Sequence, residues 1–194
     1  MIEGSEAREH LEMVDRIVER TSTRLNVGAE YFVVWGLASA TMSLMYQLIG
    51  THLAPANAIW IAWGAALAAM AFSIWRGKSA RLERLTFLER EFLTVLKVAM
   101  MVTFFVFIIE LFGANIFGVI GLAAIWSFAA SIVLFYIAMH GNRRALVGGI
   151  ILLLSLAVAN YKPDFVGYAL SAGMFVGYAG FGAVELIASS RACD

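Results

Sequence analysis

Long apolar stretches alternate with short polar links along this chain, and their lengths carry the first inference. Six stretches, at about 29–50, 55–75, 93–112, 117–139, 145–160 and 165–188, are almost free of charge. A helix needs about 20 apolar residues to cross a hydrocarbon core of ~30 Å, so each is read as a membrane span. The links Thr51–Ala54, Gly113–Ile116 and Asn160–Asp164 allow only tight turns, which pairs the spans as three antiparallel hairpins. Pro55 suits the first turn of span 2, where its missing N–H costs nothing.

Two further segments have helical periodicity and charge. In residues 5–27, Ser5 is a plausible N-cap, and Ala7, Leu11, Val14, Val18, Thr21 and Leu25 keep the 4-3 spacing of a short coiled-coil seam. This predicts an amphipathic helix with Val14 and Val18 at its centre, docked on its own bundle, lying at the headgroups, or pairing with a second copy. In 76–92, Leu82, Leu85, Leu88 and Phe92 recur at helical spacing beside the largest basic cluster. The expected fold is therefore all-α: a polytopic membrane protein with six transmembrane helices in three hairpins. An amphipathic helix occupies 1–28, the bundle 29–190 with a helical loop at 76–92, and a short tail 191–194.

Charge orients this arrangement. Of fourteen Lys and Arg residues, only Lys162 falls outside the links and ends that share one side. Basic residues resist translocation, so that side is cytoplasmic and both termini lie on it, with the plasma membrane as the expected location. Composition agrees, with 61% hydrophobic residues and a mean hydropathy of +0.81, against roughly 45–50% apolar for a soluble domain. Lipid is the expected partner, together with a second copy or another membrane protein. Nucleic acid is not expected, because Glu3, Glu6, Glu9, Glu12, Asp15 and Glu19 offset the N-terminal basic residues. The single cysteine, Cys193, excludes an intramolecular disulfide and a cysteine-rich metal site. The charged first 27 residues lack the apolar core of a cleavable signal, so span 1 is expected to direct its own insertion.

Two patterns link separate parts of the chain. Trp35-Gly36, Trp63-Gly64 and Trp126-Ser127 each place a small residue after a Trp and an Ala two positions later, a faint repeat compatible with duplicated hairpins. Arg20 and Arg24 in the amphipathic segment, with Tyr31-Phe32 and Trp35-Gly36 after them, resemble a family of small prokaryotic multi-span membrane proteins. The resemblance covers the first 75 residues and implies a hairpin architecture; the family brings no known activity.

Candidate functional residues are few. In span 6, Gly173 and Gly177 form a small-xxx-small pair suited to close helix packing, within the chain or between copies. In span 1, Gly36, Ser39, Ser43 and Gln47 share one face, and so do Ser127 and Ser131 in span 4. Such serines either return their hydroxyls to their own backbone or line a polar path. Glu30, Glu185, Lys97 and Arg144 lie near the cytoplasmic rim and are candidates for ion pairs there. Glu110, within FVFIIELFG, is the carboxylate most isolated from cations and the candidate ion or proton site. No cofactor or metal is expected: His52 and His140 fall on opposite sides and cannot ligate one haem. No His-Glu-x-x-His, paired intramembrane aspartate or Gly-x-Ser-x-Gly arrangement is present, so nothing supports catalysis. Two functional classes remain: a non-catalytic assembly, sensor or accessory module acting through its cytoplasmic helices, or a small channel or transporter using span 1 and Glu110.

Overall fold

In the computed structural model the described residues are 28–80, 94–99, 101–103, 105–106, 109 and 118–190, without the side chains of 78–80, 118–120 and 163. Among them the structure is helical and has no strand. Five helices are long and apolar enough to cross a membrane. We label them α1 (Ala29–Gly50), α2 (Ile59–Ala80, entered through the 3-10 turn Ala56–Ala58), α3 (Gly118–Met139), α4 (Arg143–Tyr161) and α5 (Val166–Ser190). They correspond to expected spans 1, 2, 4, 5 and 6. Of expected span 3, residues 94–99 and 101–103 are described and helical. The amphipathic segment 5–27, with Val14 and Val18, the loop 81–92 and Glu110 lie outside the described residues.

The ends of these helices are set by local chemistry. After α1, Thr51 N–H returns to the Gln47 carbonyl and Leu53 and Ala54 N–H to that of Leu48, while His52 takes a left-handed φ of 57°. Pro55 then opens the next turn. Between α3 and α4, Gly141 adopts φ 94°, which a residue without Cβ reaches at no steric cost. Asn142 then caps α4, its side-chain oxygen accepting the N–H groups of Arg144 at 3.0 Å and Ala145 at 3.2 Å.

Packing places the helices in the order α2, α1, α5, α4, α3, with α3 curling back to touch α1 and α5. α5 is the hub. Its glycines bring neighbouring backbones together: a Cβ on Gly177 would lie 2.8 Å from the Gly148 carbonyl oxygen of α4, and one on Gly182 2.6 Å from that of Ala29 in α1. A Cβ on Gly36 of α1 would meet the Ala179 nitrogen at 2.5 Å. The core between α1, α3, α4 and α5 holds Phe32, Leu134, Ile137, Leu152, Met174 and Phe181, and Leu96 and Ala99 of the 94–99 helix pack against it.

α5 is not a uniform helix. Its α-helical outer part, Val166–Gly173, and inner part, Gly180–Ser190, are joined by a π-helical turn, Met174–Ala179. There the Gly180 N–H reaches the Phe175 carbonyl, five residues back. Such a turn holds one residue more than an α-turn and rotates the rest of the helix by about 100°. Along α5, Gly167, Ala179 and Gly182 lie against α1, while Gly173 and Gly177 face α4.

Candidate functional site

The polar residues of the bundle group at two ends and one waist. At the end bearing the α1 N-terminus, Glu30 and Arg76 form an ion pair across the first hairpin, Nε to Oε2 2.7 Å. Both sit where they do because α1 and α2 are antiparallel, placing the start of one beside the end of the other. On the far side of the same end, Arg144 at the start of α4 reaches Glu185 near the end of α5 at 3.3 Å. The Glu185 side chain is 10% exposed and that of Arg144 55%, so a buried carboxylate is held by a largely solvated guanidinium. Of the four rim candidates, Arg144 and Glu185 meet. Glu30 meets Arg76, which sequence spacing did not single out. Lys97 is exposed and belongs to neither pair.

At the opposite end the Gln47 amide fastens α1 to the turn before α5. Its Nε2 donates to the Asp164 carbonyl at 2.8 Å, and its Oε1 accepts the Gly167 N–H at 2.8 Å. The first N–H groups of a helix have no partner within it, so Gln47 supplies one from a neighbouring helix. Only glycine fits at 167: a Cβ there would run into the Gln47 side chain and lie 2.7 Å from the Ser43 carbonyl oxygen. Ser43 is buried beneath this crossing.

The waist is built from tryptophan and serine. Trp126 of α3 donates its Nε1–H to the Ser39 hydroxyl at 2.8 Å. Trp35 of α1 donates to Ser73 of α2 at 2.9 Å, and Ser73 in turn donates to the Ala69 carbonyl at 2.8 Å. The two indoles lie against each other, with ring centroids 5.5 Å apart. Ser127 returns its hydroxyl to the Ala123 carbonyl and Ser131 to that of Phe128. The Trp35 and Trp126 positions of the faint repeat thus meet in space, whereas Trp63 faces outward on α2.

Among the described residues every fully buried side-chain nitrogen or oxygen has a hydrogen-bond partner. No group of three or more His, Cys, Asp and Glu is placed to hold a metal ion among them. His52 and His140 lie at opposite ends, and His140 Nδ1 is 2.9 Å from its own helix's Tyr136 carbonyl. The Gly173 and Gly177 pair faces α4 of the same chain, where Gly173 closes on Ser155 and Gly177 on Gly148. Sequence reasoning misses the Gln47 staple, the Arg76 partner and the π-helical turn. Arg76 alone carries a usable signal, because equal span lengths in a tight hairpin set it opposite Glu30. Comparison with protein families, with curated proteins and with solved structures finds no match to this chain.

Proposed function

We propose that this chain is a non-catalytic membrane module, an assembly, sensor or accessory protein, whose bundle presents its cytoplasmic helices to a partner. The observation that carries the reading is the engagement of the span 1 polar face. Ser39 accepts from Trp126, and Gln47 joins Asp164 to Gly167. Two of the residues that would line a polar path, Ser39 and Gln47, instead hold helices together, and glycine crossings bring the backbones of α1, α4 and α5 into contact.

In this reading six spans form three hairpins, with both termini cytoplasmic in the plasma membrane. Its support is directional. The Arg76–Glu30 and Arg144–Glu185 pairs and the Gly182–Ala29 crossing put the end of α2 at the same end of the bundle as the start of α4. α3 is antiparallel to α4, so Gly118 begins at the other end. Ala80 and Gly118 thus lie at opposite ends of the bundle, which agrees with a sixth span between them. The outward side chains Trp60 and Trp75, near the two ends of α2, suit the two interfacial belts where indoles collect.

The test uses the full chain in two preparations. In liposomes it should carry no cation or proton flux above protein-free vesicles. In intact membranes a photo-crosslinker at Val14 or Val18 should give one defined adduct, lost when the neighbouring seam residue becomes Asp and kept when Glu12 becomes Gln. Flux that Glu110→Gln abolishes without unfolding would replace this reading with the channel or transporter one.

A further inference from the structure

α5 is held very differently on the two sides of its π-helical turn. The outer part is fixed by both Gln47 hydrogen bonds and by Gly173 closing on Ser155. The inner part is held by the Gly182 crossing, by Phe181 packed edge-on against Phe32 at 5.1 Å, and by one ion-pair contact of 3.3 Å to an arginine whose side chain is 55% exposed. The turn between them contains Gly177 and is bounded by Gly173 and Gly180, residues that permit backbone rearrangement at low steric cost. On its outward face Phe175 is 57% and Val176 54% exposed, while Met174, Gly177, Tyr178 and Ala179 are buried. Absorbing one residue there turns the inner part and carries Phe181 away from its place against Phe32.

We propose that this turn is a register switch: α5 exchanges between the π form and a continuous α-helix, and the exchange opens the α1–α5 seam at the cytoplasmic end. With the outer part fixed, conversion to α rotates Gly180–Ser190 by about 100°. Each inner position is then taken by the residue before it. Phe181 arrives where Gly182 now sits, a place where even a Cβ is 2.6 Å from the Ala29 carbonyl oxygen, so the two helices separate there. Val184 arrives where Glu185 sits, and Arg144 loses its carboxylate. The same motion thus parts the seam and releases the rim pair. The π form is the closed state because it alone sets glycine at the crossing and the carboxylate opposite Arg144. This device does not depend on which functional class the protein belongs to.

Deleting Val176 separates a switch from a fixed kink. Removal of one residue turns the π-helical turn into an α-turn while leaving both flanking faces as they are, so the closed packing persists and the second register disappears. The measurement is electron–electron double resonance on the full chain in lipid nanodiscs, with spin labels at Arg143→Cys and Ile187→Cys and with Cys193→Ser. Both labelled positions are exposed. The parent should give two distance populations. The deletion should keep the same thermal midpoint within a few degrees and reduce the second population at least tenfold. A single population in the parent overturns the switch. So does a deletion variant that keeps both populations, or one that cannot fold, since a turn that holds one residue in excess leaves the closed packing intact when that residue is removed.

Discussion

α2 and α5 are both apolar enough to cross a membrane, yet 11% of the apolar window of α2 is buried inside the bundle against 44% for α5. Apolarity does not separate them. Spacing of small residues does: α5 places Gly167, Gly177 and Gly182 against neighbouring backbones and Gly173 against the Ser155 side chain, while a Cβ on Gly64 or Gly77 of α2 would meet nothing within 4 Å. In lipid there is no hydrophobic drive between helices, so burial tracks close backbone approach rather than hydrophobicity. Among the described long helices α2 packs mainly on α1, and its Trp60, Leu67 and Ile74 are exposed. The lesson is that membrane residence and position within the bundle are written in different residue classes.

The sharpest way to break this comparison is to enlarge glycines in both settings. Gly36→Leu should cost more than about 3 kcal/mol or abolish folding, because a side chain cannot be placed where its first carbon is 2.5 Å from the Ala179 nitrogen. Gly64→Leu should change stability by less than about 0.5 kcal/mol, as expected of an open surface position. Thermal unfolding in mild detergent, monitored by fluorescence-detected chromatography, reads both. Equal losses would mean that α2 packs against something in the membrane and that its exposure belongs only to the isolated chain.

A second pair of variants compares the two ends of α5. Gln47→Leu removes a donor and an acceptor together and strands the Asp164 carbonyl and Gly167 N–H, for an expected loss of about 1–2 kcal/mol. At the other end, Arg144→Ala leaves the Glu185 carboxylate buried without its cation, whereas Arg76→Ala leaves a Glu30 side chain that is 39% exposed. Stranding a buried charge costs more than stranding a hydrated one, so Arg144→Ala should be the worse of the two, by about 1 kcal/mol. The reverse order would show that the shorter Arg76–Glu30 contact matters more than burial.

Much of this frame is legible in the sequence, and the rest is hidden for a common reason. Five of the expected spans appear as long apolar helices with ends within a few residues of those read from polarity, because the length of a span is a property of the chain alone. The tight hairpins are implied by link length, and the self-bonding of Ser127 and Ser131 by the habit of serine in helices. Periodicity within one helix tells which residues share a face but never which helix that face meets. Gln47 shares the Ser39 face, as its spacing implies, yet its partners, Asp164 and Gly167, lie more than a hundred residues away and carry no matching signal. Trp35, Trp63 and Trp126 look alike in sequence, and only the return of α3 onto α1 separates the first and third from the second. The π-helical turn leaves no trace beyond a density of glycine, since one extra residue among apolar neighbours shifts no hydropathy pattern.

The smallest expected effect lies at the tryptophan–serine waist, and it decides whether that waist binds helices or merely fills space. Trp126→Phe removes the Nε1–H that Ser39 accepts while keeping a ring beside Trp35. Interhelical hydrogen bonds in membranes average about 0.6 kcal/mol, because the separated helices find other partners. Ser39→Ala should cost a similar amount, and the double variant about the same as either alone, since the second change has no bond left to remove. A coupling of about 0.6 kcal/mol in this cycle identifies the bond as a link from α3 to α1. Trp35→Phe with Ser73→Ala should give a weaker coupling, because Ser73 also donates to the Ala69 carbonyl of its own helix and keeps that bond when the indole is gone. Were the two couplings reversed, α2 would be bound to the bundle more tightly than α3 at the waist, and its place as the loosely held outer helix would have to be given up.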